Sequence, residues 1–450
     1  MAEHKTPSFS SKVGLILATA GSAVGLGNIW KFPYEAGQSG GGAFLLVYLI
    51  CCLLFGLPML MTELYIGKKS QKSAFGAFRA LSNNNRWQWM SWVCIIIALL
   101  ITGFYFEVTG WCFHYLFAGI GNAFKGMTAV TMQTHFTHLM SNKWALFGYS
   151  MIAVVATACV LWFDVNKGIE RLSKVLMPLL LVMMILMVIR VLMLDDSHKG
   201  LEFFFKADFA KITPNTVLAA MGQCFLSLSV GLGALITYGA YMQKSQNITA
   251  TSLQVVILDT LVAVLAGMII FPAVFAFGVN PAEGPQLVFV VLPAIFEKMS
   301  FAWFSGVFFF LLLCIAAITS TISLMEVIVA FMNEATAKTR HPLNRHKSVL
   351  IVSAMISVMI AACVFREEFF NWSDDFTANI LIPLNALAMT IFVGWFLPKK
   401  DLLEEFGKEK GFKHYFALFY LQLVRYFIPL TIFIIFLNGL GLWDAIQKLF

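Results

Sequence analysis

The stretch Ala20-Gly21-Ser22-Ala23-Val24-Gly25-Leu26-Gly27-Asn28 lies in the middle of an apolar segment that is long enough to span a membrane. Its three glycines within seven residues are unfavourable in a helix, because glycine loses more backbone freedom there than any other residue. Small residues also let membrane helices pack closely, which is the commoner reason for such a stretch. The rest of the sequence decides between close packing and an interrupted helix.

A second stretch of this kind, Ser227-Leu228-Ser229-Val230-Gly231-Leu232-Gly233, lies midway along a later apolar segment. Hydropathy gives about eleven segments with the roughly 20 residues that a helical crossing needs, and the two stretches fall in the first and the sixth. Interruptions that lie five crossings apart indicate an inverted repeat. In secondary transporters that are built as inverted repeats, discontinuous helices surround the substrate and ion site.

The predicted fold class is therefore an all-α membrane protein with about 11 transmembrane helices, in a 5+5 inverted-repeat fold with helices 1 and 6 unwound mid-membrane. Residues 1–450 are expected to form a single transporter domain, with repeat one at about 13–194, repeat two at about 216–398 and an extra helix at about 414–438. The predicted crossings are 13–36, 41–66, 90–118, 144–163, 169–194, 216–242, 249–277, 302–333, 347–365, 376–398 and 414–438.

The composition agrees with a membrane protein, since 59% of the residues are hydrophobic and only 12% are charged. Most of the 31 lysines and arginines fall in segments predicted to be cytoplasmic, which follows the positive-inside rule. This predicts a multi-pass plasma (inner) membrane protein with a cytoplasmic N-terminus and an extracytoplasmic C-terminus. The basic residues of these short inner loops also account for the formal net charge of +7. We therefore expect membrane lipid, and no nucleic acid, as a partner.

An enzyme is not predicted, because neither the His-Glu-x-x-His nor the Gly-x-Ser-x-Gly pattern occurs. Gly25-Leu26-Gly27 lacks the third glycine of a dinucleotide-binding motif, so no organic cofactor is expected. Two alternatives to a sodium-coupled carrier stay open: a proton-coupled amino-acid permease of the same fold, and a non-transporting membrane receptor or sensor. The oligomeric state is not predicted.

The first crossing, Gly21-Ser22-Ala23-Val24-Gly25-Leu26-Gly27-Asn28-Ile29-Trp30-Lys31-Phe32-Pro33-Tyr34, resembles that of the neurotransmitter:sodium symporters. Lys167-Gly168-Ile169-Glu170-Arg171, Leu292-Pro293-Ala294-Ile295-Phe296 and Ala317-Ile318-Thr319-Ser320 match further motifs, so the resemblance covers nearly the whole chain. It is closest to the bacterial branch. It implies a symporter that imports an amino acid by alternating access, with two Na⁺ ions as its cofactors.

The resemblance implies two sodium sites, each made of residues from different crossings. Site one is formed by Ala23, Asn28, Ser227 and Asp259, together with the substrate carboxylate, and site two by Gly21, Val24, Ala316, Thr319 and Ser320. Position 259 departs from the commonest family pattern, which has Asn there. Chloride-dependent relatives bind the anion with a Tyr, a Gln and two Ser, and the matching residues here are Tyr48, Gln223, Ser227 and Ala263. We therefore predict that Asp259 supplies the negative charge and that transport needs no chloride.

Gly25 stands where monoamine carriers have a carboxylate, so the substrate is expected to bring its own carboxylate, which Tyr105 would bind. The substrate site implied by the resemblance consists of Ser22, Ala23, Gly25, Gly27, Ile101, Tyr105, Leu226, Ser227, Ser229, Gly231, Leu232, Ser320 and Leu324. An apolar wall without charge predicts a neutral, hydrophobic side chain, because a charged one would be left unpaired. Aromatic side chains are included, since Leu226 and Leu232 replace phenylalanines of several relatives.

Three charged residues match the gates of the family. Lys31 and Asp375 correspond to the outer gate, where Lys replaces an Arg and gives up its bidentate geometry. Glu334 corresponds to the acidic residue of the inner gate. The usual arginine partner falls at Thr6, with Lys5 beside it, so the partner of Glu334 stays open.

Overall fold

The computed structural model describes residues 8–82, 85–278, 287–299, 301–337, 339–407 and 412–440, and within these ranges the regular structure is helical. The helices are α1 Lys12–Ala23, α2 Gly27–Gln38, α3 Gly42–Ser70, α4 Ala74–Ser82, α5 Gln88–Ile120, α6 Ala129–Ser141, α7 Lys143–Leu161, α8 Lys167–Leu192, α9 Ser197–Phe205, α10 Pro214–Ser227, α11 Ala234–Ala240, α12 Ile248–Ala276, α13 Val288–Glu297, α14 Ala302–Thr336, α15 Arg345–Phe365, α16 Glu367–Phe396, α17 Lys399–Phe406 and α18 His414–Gly439. One 3₁₀ turn, Phe209–Lys211, precedes α10.

Among the described residues, nine helices are long and apolar enough to cross a membrane, and α1 with α2, bent by 53°, form a tenth span. The nine are α3, α5, α7, α8, α12, α14, α15, α16 and α18. The chain is therefore a multi-pass membrane protein. The predicted sixth crossing, 216–242, is not among these spans, because it is divided into α10 with 14 residues and α11 with 7.

The chain leaves the helical conformation at both glycine-rich stretches. Helix α1 ends at Ala23, and Val24 is extended, with ψ of 113°. Between α10 and α11, Ser229, Gly231 and Gly233 have φ values of 53°, 86° and 83°. A left-handed backbone suits glycine, which has no Cβ to clash, and it cannot continue a right-handed helix. Both breaks therefore free backbone groups deep inside the bundle.

Helix α14 places its polar residues beside the first break because it packs at the centre of the bundle. It contacts α1, α5, α7, α8, α11 and α15. A helix that is apolar on nearly every side is stable only where neighbours cover it all round, and most of α14 is buried. Thr319 and Ser320 interrupt this apolar surface and are buried as well. Two hydroxyls are thus brought to the level at which α1 ends.

The start of α10 follows from its local sequence. Thr213 caps the helix, and its hydroxyl accepts a hydrogen bond from Thr216 N, while Thr216 bonds back to Thr213 N. Pro214 occupies the first turn, where its missing N–H costs nothing. The helix then runs to Ser227, so the cap fixes where along the bundle the second break lies.

Candidate functional site

A cavity of about 620 Å³ extends from the two breaks to one end of the bundle. We call this end the outer end; it carries Lys31, Glu367 and Asp374, which also line the cavity. Of the residues predicted for the substrate site, all except Ser227 and Gly231 line the cavity wall. The cavity therefore joins the predicted substrate residues to the predicted extracellular side.

At the bottom of the cavity, polar groups lie so close to Gly25 that no side chain fits at this position. A Cβ on Gly25 would lie 2.4 Å from Ser320 Oγ and 2.8 Å from Tyr105 Oη. Leu26 N donates a hydrogen bond to Tyr105 Oη at 3.2 Å. The buried hydroxyl of Ser22 has no hydrogen-bond partner among the described residues. Buried polar atoms normally have partners, so this arrangement fits a polar group of a ligand.

Next to Gly25 lie the side chains predicted for sodium site one. Asn28 Nδ2 donates to Ser227 Oγ and to Asp259 Oδ1, each at 2.8 Å, and Asn28 Oδ1 accepts from Gly25 N at 3.0 Å. Ser227 Oγ donates to Asp259 Oδ2 at 2.8 Å. Asp259 is fully buried, and its hydrogen-bond donors are neutral groups. A buried carboxylate without a countercharge is costly, so this set of oxygen ligands fits a hard monovalent cation.

The residues at the chloride position of relatives are engaged with their neighbours. Tyr48 Oη donates to Ser227 Oγ at 3.2 Å and lies 3.4 Å from Asp259 Oδ2. Gln223 Nε2 donates to Gly27 O at 2.9 Å, and Ala263 offers no hydroxyl. The donors that would face an anion are thus directed at a hydroxyl, a carboxylate and a carbonyl oxygen.

The residues predicted for sodium site two also lie together, between α1 and α14. Ser320 Oγ donates to Val24 O at 3.3 Å, and Thr319 Oγ1 donates to Ala316 O at 2.9 Å. A Cβ on Gly21 would lie 3.4 Å from Thr319 Cβ, in ordinary van der Waals contact, so the two helices are direct neighbours at this point. Two carbonyl oxygens and two hydroxyls at one place can replace the water shell of a small cation.

Two buried polar residues that sequence reasoning missed hold the second break open. Glu63 on α3 accepts a hydrogen bond from Gly231 N, and Asn385 on α16 donates to Gly231 O at 2.7 Å. These bonds replace the helical hydrogen bonds that Gly231 cannot make, which explains why it does not line the cavity. A polar residue inside an apolar crossing was the signal that would have identified both.

Of the two residues predicted for the outer gate, Lys31 lines the cavity and Asp375 does not. Asp374, not Asp375, lies on the cavity wall with Lys31, and in the described part of the chain no carboxylate oxygen comes within the 4.0 Å of an ion pair with Lys31. The missed aromatic residues Trp30 and Trp111 line the same part of the cavity. The outer end is therefore not closed by an ion pair in this conformation.

The other end of the bundle, the inner end, is closed by contacts of the chain that precedes α1. Ser10 N and Ser11 Oγ donate to the carboxylate of Glu170 at 2.6 Å and 2.8 Å. Phe9 N donates to Tyr241 O at 3.0 Å. These contacts fasten the segment before α1 to α8 and to the end of α11, and no residue of this segment that the structure describes lines the cavity.

A buried ion pair lies next to these contacts, since Tyr241 takes part in both. Arg345 Nη2 contacts Glu326 Oε2 at 2.7 Å, and Tyr241 Oη donates to Glu326 Oε1 at 2.7 Å. Glu334, the predicted inner-gate residue, accepts from Ser73 N at 3.1 Å and lies 3.9 Å from Lys72 Nζ. Lys5 and Thr6 lie outside the described residues. Glu334 therefore binds the loop between α3 and α4 in this structure.

A bundle whose first and sixth predicted crossings break around buried polar side chains is typical of secondary transporters. The family model described as Sodium:neurotransmitter symporter family matches residues 6–126 and 123–447. The chain belongs to this family; it is a sodium-dependent membrane transporter and not an enzyme.

Known proteins resemble the chain over nearly its full length. The sodium-dependent transporter YhdH of Bacillus subtilis (strain 168) is 35% identical, over 98% of this chain and 99% of its own. A sodium-dependent transporter of Haemophilus influenzae is 32% identical, over 96% of this chain and 98% of its own. The crystal structure of MhsT in complex with L-phenylalanine superimposes with a TM-score of 0.87 at 34% identity, covering 96% of this chain and 99% of that one. The predicted family and helical fold are thereby confirmed.

Proposed function

We propose that the protein imports a neutral amino acid with a hydrophobic side chain, aromatic ones included, together with Na⁺ and by alternating access. The observation that carries this proposal is the bottom of the cavity at Gly25, where Ser320 Oγ and Tyr105 Oη leave no room for a carboxylate of the protein. A substrate carboxylate would instead lie in the cavity beside these two hydroxyls, near Asn28 and Asp259. That the similar MhsT structure contains L-phenylalanine supports an amino acid of this type.

The neighbouring ion site gives the coupling a physical basis. A sodium ion at site one, with Ala23 O, Asn28, Ser227 and Asp259 as protein ligands, would complete its shell with the substrate carboxylate. The ion then binds more tightly when substrate is present, and linkage requires the reverse to hold equally. A second ion at Gly21, Val24, Ala316, Thr319 and Ser320 would stabilise the contact between α1 and α14.

The apolar upper wall supports selection by the substrate's side chain. Ile101, Leu226, Leu232 and Leu324 line it, and Ser229 Oγ is engaged with Ser22 O at 2.9 Å. A charged side chain in this place would lose its hydration without gaining a partner. Neutral, hydrophobic amino acids are therefore the preferred substrates.

Chloride independence follows from Asp259. Ser227 and Tyr48 face this carboxylate, and an anion beside it would be repelled. The fixed charge thus does what chloride does in relatives that carry Asn at this position.

The conformation fits the first step of an import cycle. The cavity reaches the outer end, while Phe9, Ser10 and Ser11 close the inner end. We assign the outer end to the extracytoplasmic side and the N-terminus to the cytoplasm. Substrate and Na⁺ would enter first, and release would require the contacts of the segment before α1 to open.

The test is uptake into proteoliposomes that contain the purified protein. Labelled phenylalanine should accumulate under an inward Na⁺ gradient but not under a K⁺ gradient, and replacing chloride by gluconate should leave the rate unchanged. Competition by all twenty amino acids then ranks the substrates. A preference for glycine or aspartate, or accumulation driven by a proton gradient without Na⁺, would refute the proposal.

A further inference from the structure

Two histidines face each other near the outer end, apart from the wall of the cavity. His114 on α5 and His135 on α6 have their Nε2 atoms 3.0 Å apart, and the ring centroids are separated by 5.1 Å. The ring of Tyr149 packs on His114 with centroids 4.9 Å apart, and the ring of Tyr115 packs on His135 at 5.6 Å. These aromatic contacts limit the rotation of both imidazoles and keep the two nitrogens directed at each other.

Both rings are available as neutral ligands. Burial, and to a lesser extent the nearby His138, lower the pKa of His135, which favours the neutral form of its imidazole. His114 Nδ1 has no hydrogen-bond partner among the described residues, so no second bond fixes the tautomer of that ring. Two neutral imidazoles with facing Nε2 atoms can share one proton, or they can offer two lone pairs to a metal ion.

We propose that His114 and His135 form a binding site for a transition-metal cation such as Zn²⁺, with both Nε2 atoms as ligands. Tetrahedral zinc with Zn–N distances of about 2.0–2.1 Å requires the two nitrogens to be about 3.3 Å apart. The observed 3.0 Å needs only a small opening of the pair. Elsewhere in the described chain no third His, Cys, Asp or Glu joins them to form a larger ligand group. Water therefore completes the coordination, and the ion exchanges readily.

The site connects two helices that both bound the cavity. Phe136, next to His135 on α6, lines the cavity and packs edge-on against Trp111 of α5, with centroids 5.5 Å apart. Met140, one turn further along α6, lines the same wall. A metal ion shared by His114 and His135 fastens α6 to α5 in the arrangement with an open outer end. It thereby slows any step in which α6 moves. This effect on transport rests on the proposed function, whereas binding of the metal does not.

The test measures metal binding directly on the full-length protein in detergent, by calorimetric titration with Zn²⁺ and by the visible spectrum of bound Co²⁺. His114→Gln and His135→Gln should each weaken Zn²⁺ binding at least about tenfold, because removing a ligand costs no less than removing its supporting group. His198→Gln, which replaces an exposed histidine of α9, serves as the matched control and should bind like the unmodified protein. His135, like His114, is only partly buried, so we expect the Gln variants to fold.

The possible outcomes distinguish failure of the metal site from failure of the proposed function. Equal Zn²⁺ binding by the unmodified protein and the His114→Gln/His135→Gln double variant overturns the proposal, and so does a loss in only one of the single variants. In proteoliposomes, micromolar Zn²⁺ on the outside should slow uptake by the unmodified protein and by His198→Gln, but not by His135→Gln. If no amino acid is transported at all, the proposed function fails, and the binding titration still decides whether the metal site exists.

Discussion

Replacing Asp259 by Asn is the most direct test of sodium site one, because the two side chains have nearly the same shape. The carboxylate accepts hydrogen bonds from Asn28 Nδ2 and Ser227 Oγ at 2.8 Å each, and Tyr48 Oη lies at 3.4 Å. An amide keeps one acceptor oxygen but turns the other position into a donor. It also removes the negative charge from a fully buried place.

The charge sets the size of the effect. At a contact distance of about 2.4 Å and an effective dielectric constant of about 20, a full carboxylate charge attracts Na⁺ by about 7 kcal/mol. Most of this is cancelled, because both charges give up their hydration, and the amide oxygen keeps part of the contact. A net loss of about 1.4–2.8 kcal/mol remains, which corresponds to Na⁺ binding that is about 10- to 100-fold weaker.

The assay is the Na⁺ concentration that gives half-maximal substrate binding to purified Asp259→Asn, measured with labelled phenylalanine. Asp195→Asn, the same change at an exposed position, is the control and should match the unmodified protein. Adding Ala263→Ser to Asp259→Asn supplies the missing hydroxyl and should make Na⁺ binding respond to chloride. An unchanged Na⁺ requirement in Asp259→Asn would show that the carboxylate is not an ion ligand.

Three further predictions address the remaining parts of the site. Gly25→Ala should abolish uptake at normal protein levels in the membrane, because its Cβ would lie 2.4 Å from Ser320 Oγ. Gly27→Ala should retain uptake, because its Cβ would come no closer than 3.9 Å to the side chain of Leu226. Thr319→Val should raise the Na⁺ concentration needed for uptake about tenfold by removing one ion ligand, while Thr431→Val, which loses only hydrogen bonds within its own helix, should not. Glu326→Gln leaves the buried guanidinium of Arg345 without its countercharge, so the unfolding temperature in detergent should fall, with a loss of about 3–5 kcal/mol; an unchanged temperature would contradict this.

Much of the fold and of the site could be predicted from the sequence, because the signals are local. Length and hydropathy define a crossing, and most predicted crossings agree with the observed helices within a few residues. Glycines inside an apolar segment identify the two places where the helix ends. The motif around Gly21–Tyr34 then identified the family, and with it Asn28, Ser227 and Asp259, which the structure brings together.

Other features depend on which residues meet across the bundle. Glu63 and Asn385 lie far from Gly231 in the chain, and only packing shows that they bind its backbone. That Asp374 and not its neighbour Asp375 lines the cavity depends on how α16 is rotated, which a sequence motif does not fix. The partner of Glu334 depends on the loop between α3 and α4, which reaches it in this conformation.

The interruption of the first crossing was determined by the sequence itself. Glycine and small residues lower the cost of leaving a helix wherever they occur. What the freed backbone faces was decided by tertiary structure alone. Gly25 is intolerant of a side chain because Tyr105 and Ser320 approach from other helices, and the histidine pair exists because α6 folds back onto α5. Local conformational preference acts within a few residues, whereas a binding site is made of atoms that only the packed bundle brings within a few ångströms of one another.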